Sequence, residues 1–261
     1  MPQLNMYRHI VDVLLAEHEA STPPTVNDGY PIHLLSCTWG IYTQIYRFGR
    51  SAVILMDSGM GQEAIVLVRA MLEYTVLLHW IVERGDDGVE ALLANQEKRI
   101  KAWFKHAEGT SLVVPPELVT ELTSEYPQID EGKAVRAFEK VCKEIGARDL
   151  YAVYGFHSLF VHPTITTSNV YCTTSGNDTA LSLEPGGDGH AANISLIAHC
   201  LIWAGRDFDQ LTPGNPRAEG LERLAHQVMA RPILPAYRPV TQQTQRPGRR
   251  GRRRGRGRAR R

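Results

Sequence analysis

Apolar residues recur at three- and four-residue intervals along most of this chain, and the gaps between such runs are short and rich in Gly, Pro, Asp and Asn. That period marks helices with one buried face. It predicts helices over about 3–19, 31–56, 62–84, 89–108, 132–145, 149–162, 191–211 and 217–230. A shorter one runs from Pro115-Pro116 to about 124. Breakers fall where the period fails: STPPTVNDGYP after the first helix, Asp57-Ser58-Gly59-Met60-Gly61 after the second, Gly85-Asp86-Asp87-Gly88 after the third. Between about 164 and 190 the period gives way to Thr, Ser, Asn, Gly and Pro, and NVYCTT with TALSL across SGND reads as a small hairpin. The expected fold class is all-α, a single helical bundle of about seven to nine helices with a polar insertion near 164–190.

Charge changes this picture at one end. The chain has 29 basic and 28 acidic residues in 261, yet its last sixteen residues, RPGRRGRRRGRGRARR, hold ten Arg and no acid. Without them, 19 basic residues stand against 28 acidic ones, a net charge near −9 with His neutral. The expected division is therefore a bundle over residues 1–237 and a disordered Arg/Gly-rich basic tail over 238–261. Arg249, Arg250, Arg252, Arg253, Arg254, Arg256 and Arg258 are its candidate nucleic-acid contacts, binding phosphates without sequence preference. No aromatic residue interleaves them, so base stacking is not indicated.

Membrane and redox readings follow from the same patterning. AIVLVRAMLEYTVLLHWIV (64–82) has the length of a membrane span but carries Arg69 and Glu73 inside. Each central charge costs about 2.5–3.5 kcal/mol on insertion scales, which favours a buried helix of a soluble bundle and no membrane partner. The N-terminal segment reads as an amphipathic helix rather than a signal peptide. Cys37, Cys142, Cys172 and Cys200 are widely spaced with no C-x-x-C pair, arguing against a thiolate metal site and a disulfide framework. The expected location is the cytoplasm, with no metal and no cofactor.

Candidate chemistry lies on two helical stripes. Tyr154, Ser158 and His162 are spaced four apart and share one line, with Pro163 stopping the helix at His162. A hydroxyl line ending in a His suits proton transfer near neutral pH, or simply a solvated helix end. His157 and His162 are five apart and point about 140° away from each other, a poor pair for one metal ion. On the third helix, Arg69 and Glu73 are four apart and Trp80 returns to within about 20° of their line. The pair reads either as a buried ion pair that sets helix register or as an anion clamp facing the other stripe. Lys98, Lys101 and Lys105 read as a solvated face, and His190, His199 and His226 as packing residues.

R-A-M-L-E followed by His79-Trp80, and then Y-x-x-x-S-x-x-V-H-P, resembles a family of uncharacterised, mainly bacterial helical proteins known as domain of unknown function 5677. The resemblance covers about residues 30–210, implies a helical fold and brings no activity. A looser resemblance is to the HEPN superfamily of small helical RNases, whose motif is an Arg separated by four to six residues from a His at a helix end. His162 matches that His, but the Arg positions hold Gly155, Phe156 and His157.

Three functions fit these residues. The first is a non-enzymatic module that binds a partner or ligand, with a tail that touches RNA or DNA and a homo-oligomer among the partners left open. The second is a metal-independent RNase or phosphodiesterase in which His162 is the acid/base, Arg69 the phosphate clamp, Glu73 a further candidate catalytic residue, and Tyr154, Ser158 and Trp80 position the substrate. The third is a small-molecule sensor with its pocket between the two stripes.

Overall fold

The computed structural model describes residues 2–22, 32–111, 114–117, 120, 137–175, 178–185, 190–230 and 234–235. Among them are nine helices and one two-stranded sheet. The helices are α1 (Pro2–Ala20), α2 (Ile32–Asp57), α3 (Gly61–Arg84), α4 (Asp86–Ala107), α5 (Phe138–Glu144), α6 (Arg148–Val161), α7 (Ile165–Asn169), α8 (His190–Asp209) and α9 (Ala218–Gln227). Strands β1 (Cys172–Ser175) and β2 (Asp178–Leu181) pair antiparallel between α7 and α8, with Cys172 opposite Leu181 and Ser175 opposite Asp178. The all-α bundle expected from periodicity is the fold, and the polar insertion holds both a short helix and the hairpin. The helix expected up to about 124 lies mostly outside the described residues, as do residues 238–261 and all the tail arginines.

Helix α3 is the axis of the bundle. It packs against α2, α8, α6, α4 and α5, while α1 lies across α8 and α2, and α9 covers α8. Val68, Met71, Leu72, Val76, Leu78 and Ile81 of α3 are fully buried against Ile45 of α2 and Ile194, Ile197 and Leu201 of α8. Burial of each such side chain stabilises by about 1.5–3 kcal/mol. Its mean hydropathy of 1.7 would suit a membrane span, and 56% of that window is buried inside the fold.

The α3–α4 boundary differs from the sequence reading, and of the helix expected over about 132–145 the described part is Phe138–Glu144. The tetrapeptide Gly85-Asp86-Asp87-Gly88 does not separate two helices; Gly85 alone does, and α4 begins at Asp86. Gly85 makes the reversal at φ 58° and ψ −130°, a conformation open essentially to glycine. Asp86 and Asp87 then occupy the first turn of α4, where the helix dipole favours carboxylates. Gly88 is needed for a different reason: a Cβ there would lie 2.9 Å from the Ile81 Cα and 3.0 Å from its carbonyl oxygen. Gly88→Ala is expected to cost about 1–3 kcal/mol through overpacking, despite alanine's better helix propensity. Urea denaturation should show the lower midpoint.

The four cysteines are free thiols. Burial pushes Cys142 and Cys200 each up to about 12, which leaves both thiols unreactive at neutral pH.

Candidate functional site

The two stripes meet. Arg69 reaches from α3 to α6, where its Nε donates to Ser158 Oγ at 2.9 Å and its Nη2 donates to the Tyr154 hydroxyl. The guanidinium carbon also lies 4.3 Å from the centre of the Tyr154 ring. Ser158 completes the arrangement by donating to the Tyr154 carbonyl at 2.8 Å, so its oxygen accepts from Arg69 and donates along its own helix. Side-chain spacing of four residues placed Tyr154 and Ser158 one above the other, which lets one fork-shaped cation engage both.

Glu73 plays a smaller part in this contact than the spacing implied. Its Oε2 is 3.9 Å from Arg69 Nη1, at the edge of ion-pair range, and it is 39% exposed where Arg69 is 17% exposed. The expected core pair is therefore a part-buried cation held mainly by hydroxyls, with a more exposed carboxylate at the edge of ion-pair range. Arg69→Met keeps the length of the side chain and removes the charged hydrogen bonds. A loss of about 1.5–3 kcal/mol is expected from charge-assisted bonds of this kind, measurable as a lower denaturation midpoint.

Trp80 is not part of this group. Its indole Nε1 donates to Glu144 Oε2 of α5 at 3.1 Å, and the Arg84 guanidinium stacks over its ring at 4.5 Å. Angular alignment with Arg69 was right, but eleven residues also separate the two by about 16 Å along the axis.

His162 lies one turn beyond Ser158 and is exposed. Its backbone has left the helix at φ −94° and ψ 154°, as the following proline requires. No described side chain hydrogen-bonds its ring. The polar residues after Pro163 satisfy the helix end: Thr164 and Thr167 donate to the Leu159 carbonyl at 2.7 and 3.2 Å, and Thr167 donates to the His162 carbonyl at 2.7 Å. Buried His157 points elsewhere, with Nδ1 donating to the Val153 carbonyl at 2.9 Å.

A half-open cleft of about 660 Å³ adjoins the Arg69 cluster between α3, α4 and α5. Leu77, Leu92, Leu93, Phe138 and Val141 form its apolar wall, and Glu73, Asn95, Gln96 and Arg99 contribute polar groups. The Phe138 ring packs at 4.5 Å on Tyr154, so the cluster forms a rigid back to one end of the cleft. The cleft lies beside the two stripes. Between them there is no space, because they are in hydrogen-bond contact.

Sequence reasoning missed a fully buried His–Asp contact between distant helices. His79 Nδ1 donates to Asp207 Oδ1 of α8 at 2.8 Å, and Nε2 donates to the Pro235 carbonyl at 2.9 Å. The only local signal was a His inside an otherwise apolar helix, which requires a partner but does not name one. Among the other histidines, His199 Nδ1 donates to the Ser195 carbonyl at 2.6 Å. His226 is exposed, 3.9 Å from Glu222, so packing does not explain it.

Among the described residues no group of three or more His, Cys, Asp or Glu side chains converges to hold a metal ion. A family model matches residues 37–180, more than half of the chain, from α2 through β2. The chain belongs to a family of unknown function, DUF5677. That span contains Arg69, Glu73, Trp80, Tyr154, Ser158 and His162 together. The His79 partners Asp207 and Pro235 in this DUF5677 protein lie beyond it. No curated protein and no solved structure matches the chain.

Proposed function

We propose that this protein is a non-enzymatic binding module, which takes a small ligand in the α3–α4–α5 cleft and contacts nucleic acid through its basic tail. The cleft carries the reading. It has the volume of a small-molecule site, an apolar wall, and few polar groups. Glu73, partly exposed at its edge, and Arg99 are the charged groups of the lining, and a ligand with an apolar body and a cationic end would set that end against Glu73. The tail adds ten Arg without an acid, suited to phosphate backbones and to no folded core.

The phosphodiesterase reading draws less support. It needs a free Arg69 guanidinium beside His162. Arg69 is instead engaged by Tyr154 and Ser158, and the His162 ring stands apart in solvent.

The cleft is tested with phenethylamine, an aryl ring with a cationic end, titrated into full-length protein by NMR. Saturable shifts at cleft residues are expected. They should be lost in Leu93→Trp, which fills the cleft, and weakened about tenfold in Glu73→Gln, the usual worth of one charge-assisted contact. Shifts that ignore both substitutions would discard the cleft as the site.

A further inference from the structure

Helix α6 packs on α3, α5 and α7, and its opposite face stands in solvent. That face is apolar. Phe156 and Leu159 are 57% and 46% exposed, and Ala152, Gly155 and Pro163 join them at helical spacing. Phe156 does not turn inward to escape water: its ring is held edge-on to Phe160 at 5.3 Å and to His157 at 5.8 Å. No Asp, Glu, Lys or Arg occurs from Leu150 to Asn177. Single exposed apolar residues are ordinary on a protein surface, whereas a contiguous row of them marks a contact site.

The row matches itself. Two α6 helices laid antiparallel, about a two-fold axis level with residues 155 and 156, set Leu159 of each opposite Ala152 of the other. Gly155 then faces its own copy on one side of the seam, where the absent side chain lets the backbones approach, and the two Phe156 rings meet on the other side. The space over Gly155 is open, since a Cβ there would meet nothing within 4 Å. Arg148, exposed in the first turn, falls at the level of Pro163 of the second copy, against the C-terminal end of its helix, where a cation is favoured.

Charge favours a second copy over other occupants. Residues 1–245 carry a net charge of about −9, so two bodies repel each other except across an uncharged face. A face that lies on a bilayer is flanked by several Lys or Arg. Here Arg148 stands next to Asp149. Area sets the strength. A 14-residue helix is about 21 Å long. With Ile165, 74% exposed at the start of α7, its face still falls short of the roughly 800 Å² per partner of a standard interface, so the contact is reversible.

We propose that the chain forms a weak two-fold dimer through antiparallel packing of α6, with Ala152, Gly155, Phe156 and Leu159 as the contact and Arg148 at each end. The dimer rests on neither the α3–α4–α5 cleft nor the tail.

The test uses the full chain freed of nucleic acid. It is sedimented from about 1 to about 300 µM in about 0.5 M salt, where contacts made by the basic tail are screened and apolar contacts persist. A monomer–dimer equilibrium with a dissociation constant in the micromolar range is expected. Phe156→Glu and Ala152→Glu, both at exposed positions, should each weaken it about a hundredfold, because each charge enters the seam twice. Their melting temperatures at the lowest concentration should stay close to that of wild type, which separates loss of the dimer from loss of folding. Mild oxidation reads the register: Gly155→Cys should cross-link to its own copy more readily than wild type, and Asp149→Cys, about 20 Å from its equivalent, should not. Monomer at every concentration, a dimer that both glutamate variants leave intact, or equal cross-linking at 149 and 155 would overturn the proposal. Pelleting of the monomer with phosphatidylcholine vesicles, abolished by Phe156→Glu, would overturn it by giving the face to a bilayer.

Discussion

Asp207→Ala is expected to destabilise this protein by about 3–5 kcal/mol, the usual cost of removing one partner from a buried charged pair. His79 and Asp207 are each about 1% exposed. A carbonyl oxygen only accepts, so the contact with Pro235 requires a proton on His79 Nε2. An ionised Asp207 requires a second proton on Nδ1. The pair is therefore an imidazolium held by a carboxylate. Burial alone would lower the His79 value, but the Asp207 hydrogen bond and charge, with the Pro235 carbonyl, raise it above 6.5. Burial pushes the Asp207 carboxyl up as well, against the pull of the imidazolium.

The pH dependence follows from the His79 direction. Folded His79 holds its proton at higher pH than the unfolded chain does. Its stabilisation is thus complete below about pH 6.5 and is lost as pH rises through the folded value, by at most about 1.4 kcal/mol per pH unit. Urea denaturation of wild type between pH 6 and 9 should show that decline, and Asp207→Asn should flatten it. A double replacement, His79→Leu with Asp207→Leu, should recover much of the loss of the single variant, because no charge is left stranded. If wild type were equally stable at pH 6 and 9, the imidazolium assignment would fail. Because the contact ties α3 to α8 and to the segment at Leu234-Pro235, its loss should also loosen that segment.

The second large effect is expected on nucleic acid. RNA affinity of the full chain should fall by about two and a half to four orders of magnitude between 50 and 200 mM salt if about six to ten arginines neutralise phosphates, each contributing about −0.7 to the logarithmic slope for a single strand. A chain ending at Gln245 should lose both the affinity and the slope. The same preparations, with His162→Ala alongside, should leave total RNA intact over a time course in chelator. Cleavage that survives truncation but disappears in His162→Ala would replace the binding reading with an enzymatic one.

Local rules were enough to read most of the helices. Periodicity marked α1, α2, α3, α6, α8 and α9 to within a few residues, since helical hydrogen bonds span only four positions and the apolar face is written in the same short range. The hairpin was readable too, from two short runs across SGND. The α3–α4 boundary was blurred because Asp and Gly serve equally as breakers and as first-turn residues, and only the backbone angles at Gly85 separate the two uses.

The candidate site was legible in halves. Sequence determined that Tyr154 and Ser158 share a face, that Arg69 and Glu73 share another, and that Pro163 ends α6 at His162. Tertiary structure alone decided that the first pair receives Arg69, that Glu73 turns to the neighbouring cleft, and that Trp80 serves α5. It also decided that His79 meets Asp207, 128 residues away. The physical reason is the range of the interactions. A helix fixes the direction of each side chain from its own turn, whereas its partner depends on how distant helices are brought together by packing around α3, which no local pattern encodes.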